Sequence, residues 1–341
     1  MPALDETAKK LVAPGTGILA ADESEGTIAK RFAVIGLPVT FESRRDYREM
    51  LFRSTEAMTR YISGVILTEE TLLQSAADGT PFREILAEAD VLPGIKVDRG
   101  AFEMPGTRGE KITEGLDGLR QRLAHYRAEG AKFAKWRGVI AVNSVAPSRN
   151  GIRANAHVLA RYAALCQEAG IVPVVEPEVL ADGEPGDHSL ERCAEVTGET
   201  LATVFEELRL AGVDLQGMLL KPNMVTPGIR SSERPSVDEV ARRTLEVLRA
   251  QVPAAVPGIA FLSGGQSDEA ATAHLSAMNR MGPLPWALTF SYGRALQNAS
   301  LIAWGGEAAN VPAAQAAFAH RARMNALAAM GEWRQELDRA A

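Results

Sequence analysis

Three features of the sequence predict an α/β fold of the (β/α)8 barrel class. Eight short apolar, β-branched runs recur along the chain, each closes on polar residues, and each precedes a longer stretch of helical period. Parallel strands need crossover helices, and eight such units close into a barrel. The 341 residues leave room for this fold, which typically takes about 250 residues plus insertions. With no low-complexity linker, residues 1–341 read as one domain. An open doubly wound sheet is the alternative. The first run is not followed by G-x-G-x-x-G, which counts against the dinucleotide-binding form of that sheet.

The predicted strands, in order, are 17–22, 64–68, 94–98, 132–140, 171–178, 218–223, 258–263 and 286–291. Between them lie amphipathic stretches. In 155–168 Leu159, Tyr162 and Cys166 share a face, and Gly170 follows where a C-terminal cap belongs. In 189–210 Leu190, Ala194, Leu201, Val204, Phe205 and Leu208 recur at helical steps; in 235–252 Val237, Val240, Leu245 and Leu248 do the same before Pro253. A helical lead-in at 3–11, a helical insert around 41–60 and a C-terminal helix from about 310 to the end extend the minimal barrel.

A hydrophobic share of 46 % and a charged share of 23 % are those of an ordinary globular protein, so disorder is not expected. The net charge of −6 argues against a nucleic-acid partner. No apolar run reaches the roughly 18 residues of a membrane span, and the polar start is neither signal nor transit peptide. A cytoplasmic location is expected. Cys166 and Cys193 read as reduced core thiols. The five histidines (His125, His157, His188, His274 and His320) show no metal-ligand spacing, so neither a metal nor another cofactor is expected.

Chemistry in such a barrel sits at the carboxyl ends of the strands. Those ends are charged here: Asp22, Lys96 and Asp98, Lys135 and Arg137, Glu176 and Glu178, and Lys221. By the period of two, Phe133, Lys135 and Arg137 share one face, as do Val172, Val174, Glu176 and Glu178, and Leu219 with Lys221. Each face starts apolar and turns charged at its end, as a packed interior opening into a pocket would. Ordinary rim ion pairs are the competing explanation for any one of these charges. The chain prefers arginine, however, and its few lysines (Lys9, Lys10, Lys30, Lys96, Lys111, Lys132, Lys135 and Lys221) include three on these apolar strand backgrounds. A lysine becomes a nucleophile when burial or a neighbouring cation lowers its pKa. Lys135 is expected to act on Lys221 in that way, with Glu176 and Glu178 moving protons.

Two glycine loops complete the picture. Ser263-Gly264-Gly265 follows the seventh run, and Ser291-Tyr292-Gly293-Arg294 follows the eighth, each entering a helix. Backbone N–H groups there suit a phosphate, and loops after strands seven and eight are the usual phosphate site of this fold.

At these residues the sequence resembles the class I, Schiff-base fructose-1,6-bisphosphate aldolases. The matching segments are GILAADES at 17–24, GIKVD at 94–98, FAKWR at 133–137, VEPE at 175–178, LLKPNMV at 219–225, FLSGGQS at 261–267 and WALTFSYGR at 286–294, in register over roughly residues 5–330. The resemblance implies that Lys221 forms the Schiff base and Asp22 takes the proton of the C4 hydroxyl. It makes Glu176 the acid/base of the imine steps, with Glu178 supporting Lys221 and Lys135 assisting carbinolamine formation and dehydration. Ser263, Gly264, Gly293 and Arg294 match the C1-phosphate site, beside Gly265 and Ser291. Ser24, Thr27, Lys96 and Arg137 match positions near the C6 phosphate, with Arg31 at its rim. The implied reaction is reversible cleavage of fructose 1,6-bisphosphate to dihydroxyacetone phosphate and glyceraldehyde 3-phosphate, in a homotetramer.

Two departures stand out. Glu25 occupies a position where a small hydroxyl residue is common, and Thr27 one where serine is usual. Tailed members of the family end in a tyrosine that moves protons at C3 of the enamine, whereas the last tyrosine here is Tyr292. Slower C3 exchange is the expectation. The rival readings are another Schiff-base aldolase or transaldolase, and an inactive sugar-phosphate-binding scaffold.

Overall fold

The computed structural model describes residues 2–339. All eight predicted runs form strands of one closed parallel barrel: β1 (Gly17–Ala20), β2 (Ile62–Leu67), β3 (Leu92–Lys96), β6 (Phe133–Ile140), β7 (Val172–Val179), β8 (Leu219–Leu220), β9 (Gly258–Phe261) and β10 (Ala287–Tyr292). Between β3 and β6 the chain adds a separate antiparallel pair, β4 (Ala101–Glu103) and β5 (Lys111–Thr113). That hairpin is missing from the sequence reading because strands of three residues are too short to display a period of two.

The longest ladder joins β6 and β7, from Phe133 opposite Val172 to Ile140 opposite Val179. β8 is much shorter than expected. Its ladder covers Leu219 and Leu220, and the Lys221 amide then donates to Val175 O at 2.8 Å. β1 likewise ends at Ala20, so Asp22 stands just past its strand.

The barrel interior has its own apolar cluster, in which Ile18, Ile66, Phe133, Val172, Val174, Leu219 and Ala260 meet. This is the inward face that the period of two assigned to Phe133, Val172, Val174 and Leu219. Leu4, Ala8 and Leu11 of the N-terminal helix (Pro2–Leu11), with Val12 just after it, join the same cluster and close that end of the barrel. Phe133 fills the interior so closely that a Cβ on Gly64 would lie 2.9 Å from its ring and 2.6 Å from Leu11 Cδ2. Glycine is required there by close approach rather than by backbone angle. The outer helices pack their apolar faces on the barrel in a second, larger cluster.

Several helices start on a serine cap. Ser148, Ser189, Ser236 and Ser267 each accept a backbone N–H at the head of the helices Arg149–Glu168, Leu190–Leu210, Val237–Gln251 and Asp268–Arg280. Gly170 takes φ +70° after the first of these, as its C-terminal position required.

Two helical expectations need correction. The insert at 41–60 is two helices, Phe41–Phe52 and Thr55–Arg60, with Arg53 and Ser54 between them. The C-terminal helix stops at Ala329, turns through Gly331 at φ +74°, and resumes only as Gln335–Arg339. Ala340 and Ala341, the chain end on which the C3-proton expectation rests, lie outside the described residues.

Candidate active site

The charged strand ends converge at one mouth of the barrel. Lys135 and Glu176 continue the inward rows of β6 and β7, and Lys221 follows Leu219 on β8. All three are about 4 % exposed, too buried to be a solvated rim. The backbone places them, since side chains two apart on a strand share a face and the apolar members of these rows are packed inside.

Their contacts form a chain of alternating charge. Lys221 Nζ lies 3.1 Å from Glu176 Oε1. Glu176 Oε2 lies 3.2 Å from Lys135 Nζ, which in turn stands 2.7 Å from Asp22 Oδ2. Four groups, on or just past β1, β6, β7 and β8, are thereby linked.

Burial alone would raise the Asp22 carboxyl, but Lys135 and then Lys221 outweigh it and hold the group down to about 2. Burial also opposes ionisation of Glu176, and the same two lysines override it, so its pKa falls below the ordinary value. For Lys135, burial disfavours the cation, yet Asp22 and Glu176 hold its pKa well above the usual lysine range. Lys135 and Lys221 each form an ion pair with Glu176, one at each carboxylate oxygen.

The Glu178 carboxylate pairs with Arg137 Nε. Glu178 is buried while the Arg137 side chain is 42 % exposed, so the guanidinium reaches from the pocket edge down to the carboxylate. Glu178 and its neighbours Glu176 and Asp182 push the Arg137 pKa up, with Glu178 the largest influence and burial opposing. Lys96 pairs with Asp98 at the end of β3.

The glycine loops lie where the sequence placed them. Ser263 is buried just past β9, and a Cβ on Gly264 would stand 2.8 Å from Glu178 Oε1. Gly265 has φ +73°, a left-handed position suited to glycine. Ser291 lies within β10, and its buried Oγ has no hydrogen-bond partner among the described residues. Gly293 caps the helix Arg294–Trp304. Arg294 ties the two loops together: it donates to Gln266 O and lies 3.2 Å from Asp268 Oδ1. Ser24 caps the helix Glu25–Val34, and its Oγ lies 3.0 Å from Thr27 Oγ1. Arg31 on that helix pairs with Glu23, and its Nη2 would lie 3.2 Å from a Cβ on Gly293.

Sequence reasoning missed Glu23 and Arg48. The buried Glu23 carboxylate holds both Arg31 and Arg48, and Arg48 also donates to Gln297 Oε1 at 3.4 Å. The available signal was an arginine at an apolar helical position, beside Tyr47 and one turn from Leu51 and Phe52. His188 and His274 are buried, His274 with Nδ1 2.7 Å from Gln266 Oε1, and no cluster of three or more metal-capable side chains occurs among the described residues.

A closed parallel barrel with paired lysines and carboxylates at the carboxyl ends of its strands defines a (β/α)8-barrel enzyme. The family model described as fructose-bisphosphate aldolase class-I matches residues 3–341. A probable class 1 fructose-bisphosphate aldolase of Xanthomonas campestris pv. campestris is 52 % identical over 332 residues, covering 97 % of this chain and 98 % of its own. Fructose-bisphosphate aldolase C of Rattus norvegicus is also 52 % identical, over 97 % of this chain and 90 % of that one. The solved fructose-bisphosphate aldolase of Plasmodium falciparum superposes with a TM-score of 0.94 at 47 % identity, over 98 % of this chain and 95 % of its own. The chain belongs to the class I fructose-bisphosphate aldolase family, and it is a lyase.

Proposed function

We propose that Lys221 carries the aldol cleavage as a Schiff base, with Glu176, Lys135 and Asp22 as its partners. The observation that supports this most is Glu176, held between Lys221 and Lys135 by one oxygen each. The free amine of Lys221 attacks the C2 ketone of fructose 1,6-bisphosphate after its proton passes to Glu176. The second proton of the attacking nitrogen passes to the new alkoxide, and Glu176 returns its proton to the resulting C2 hydroxyl, which leaves as water beside the Lys135 ammonium. The protonated imine withdraws electrons from C3. Asp22, ionised at neutral pH, accepts the C4 hydroxyl proton as the C3–C4 bond breaks, and glyceraldehyde 3-phosphate departs. Protonation of the enamine at C3 and hydrolysis release dihydroxyacetone phosphate. The imine itself is the electron sink, so the scheme calls for no metal or other cofactor.

Ser263, Gly264, Gly265, Ser291, Gly293 and Arg294 are assigned to the C1 phosphate, supported by the two glycine loops that Arg294 joins. Lys96, Arg137, Ser24 and Thr27 are assigned to the C6 phosphate, with Arg31 at its edge. Glu178 acts through Arg137 and the Gly264 backbone in this scheme, rather than through Lys221. We further read the chain as one catalytic domain that works in the cytoplasm as a homo-oligomer, a tetramer on the family resemblance. Among the described residues no helix is long and apolar enough to cross a membrane.

The test is to incubate the protein with dihydroxyacetone phosphate, reduce with borohydride and locate the adduct by mass spectrometry. Label on Lys221 is expected. Absence of an adduct, together with activity lost to EDTA, would overturn the scheme in favour of a metal-dependent cleavage.

A further inference from the structure

Asp98 is a buried carboxylate for which the scheme above has no use, its side chain 3 % exposed. Three donors meet it. Lys96 Nζ pairs with Oδ1 and also donates to the Asp98 carbonyl at 3.0 Å; Gly100 N reaches Oδ1 at 3.2 Å; Arg137 N reaches Oδ2 at 3.3 Å. The last contact replaces a strand bond. The β3–β6 ladder ends with Val97 N donating to Lys135 O at 3.1 Å. In a parallel ladder Arg137 N would next donate to Val97 O. Val97 O instead accepts from Arg122 Nη1 at 2.9 Å, and the Asp98 carboxylate takes its place.

We propose that Asp98 is a positioning residue that holds both main cations of the C6-phosphate subsite, Lys96 by its ammonium and Arg137 by its main chain. This rests on the assignment of Lys96 and Arg137 to that subsite. The two strands part where the carboxylate enters, and its two oxygens hold the Lys96 ammonium on one side of the gap and the Arg137 backbone N–H on the other. A free lysine side chain must be ordered when it binds an anion, and an anchor already in place lessens that cost. The Asp98 charge works in the opposite direction, since an anion near a phosphate repels it. Geometry is expected to prevail, because three donors already neutralise the carboxylate locally.

The experiment compares fructose 1,6-bisphosphate with fructose 1-phosphate, which lacks the C6 phosphate, as substrates of wild type, Lys96→Ala, Asp98→Ala, Asp98→Asn and the Lys96→Ala/Asp98→Ala double variant. For both Asp98 variants the ratio of kcat/KM between the two substrates is expected to fall about tenfold, carried by KM for the bisphosphate. The double variant should lose little more than Lys96→Ala, because the two residues act as one unit. An equal loss on both substrates would overturn the proposal and leave Asp98 a merely structural group. A lower KM for the bisphosphate would also overturn it, by showing that Asp98 competes with the phosphate for Lys96. If Lys96→Ala itself leaves the ratio unchanged, the subsite assignment fails and the proposal falls with it. Borohydride labelling of Lys221 in each variant reports whether the reacting centre is intact.

Discussion

Lys221 Nζ lies 3.1 Å from Glu176 Oε1, a contact between side chains of adjacent strands at the mouth of the barrel. One carboxylate therefore serves the reacting amine on one side and, through its other oxygen, the Lys135 ammonium on the other. Proton transfer to and from the amine needs no rearrangement of the backbone.

Replacing Lys221 by methionine keeps the length and removes the amine. Activity should fall on the order of 10⁴-fold or more, as for loss of a covalent nucleophile. Borohydride should then trap no adduct at position 221. An adduct elsewhere, with activity retained, would assign the nucleophile to another lysine.

Glu176→Gln keeps the shape and removes the proton relay. A loss in kcat of roughly 10²–10⁴-fold is expected, the usual range for a general acid/base. Rapid mixing with dihydroxyacetone phosphate and borohydride should show slowed imine formation. Unchanged trapping kinetics would place the acid/base work on a different group.

Stability should depend on pH through Asp22. Its carboxyl falls from an ordinary value of 3.8 when unfolded to about 2 in the folded protein. The unfolded chain thus binds the proton more readily, so this contribution is fully present above about pH 4 and is lost as pH falls toward about 2. The amount is about 2 kcal/mol, taking 1.36 kcal/mol per unit. Urea titrations of wild type and Asp22→Asn at pH 6 and pH 3 should show the gap between them narrowing at the lower pH. A gap that widens on acidification would contradict the pairing with Lys135.

Gly64→Ala should destabilise the barrel by roughly 1–3 kcal/mol through overpacking against Phe133 and Leu11. Combining it with Phe133→Leu should cost less than the sum of the two single changes, because the smaller side chain vacates the space. Strict additivity in urea unfolding would show that the two positions do not compete for volume.

Much of this architecture could be read from local pattern. The inward rows of β6 and β7 were visible because side chains alternate with a period of two, and a row that turns from Val172 and Val174 to Glu176 must run from packed interior to pocket. Gly170 marked a helix end because a residue without a Cβ takes the left-handed angle there at no steric cost. The β4–β5 hairpin carried no such pattern, and neither did the turn at Gly331 that ends the last long helix.

By itself, then, the sequence determined which residues face the pocket, since that depends on neighbours two to four positions away along the chain. Only the tertiary structure decided how those residues are paired. Lys135 and Lys221 turn out to share Glu176, one at each oxygen, and Glu178 to pair with Arg137. The physical reason is register. The pairing of charges from different strands depends on how far each strand is displaced along its neighbour as the barrel closes, and that displacement is set by packing across the whole interior, from Phe133 down to the N-terminal helix.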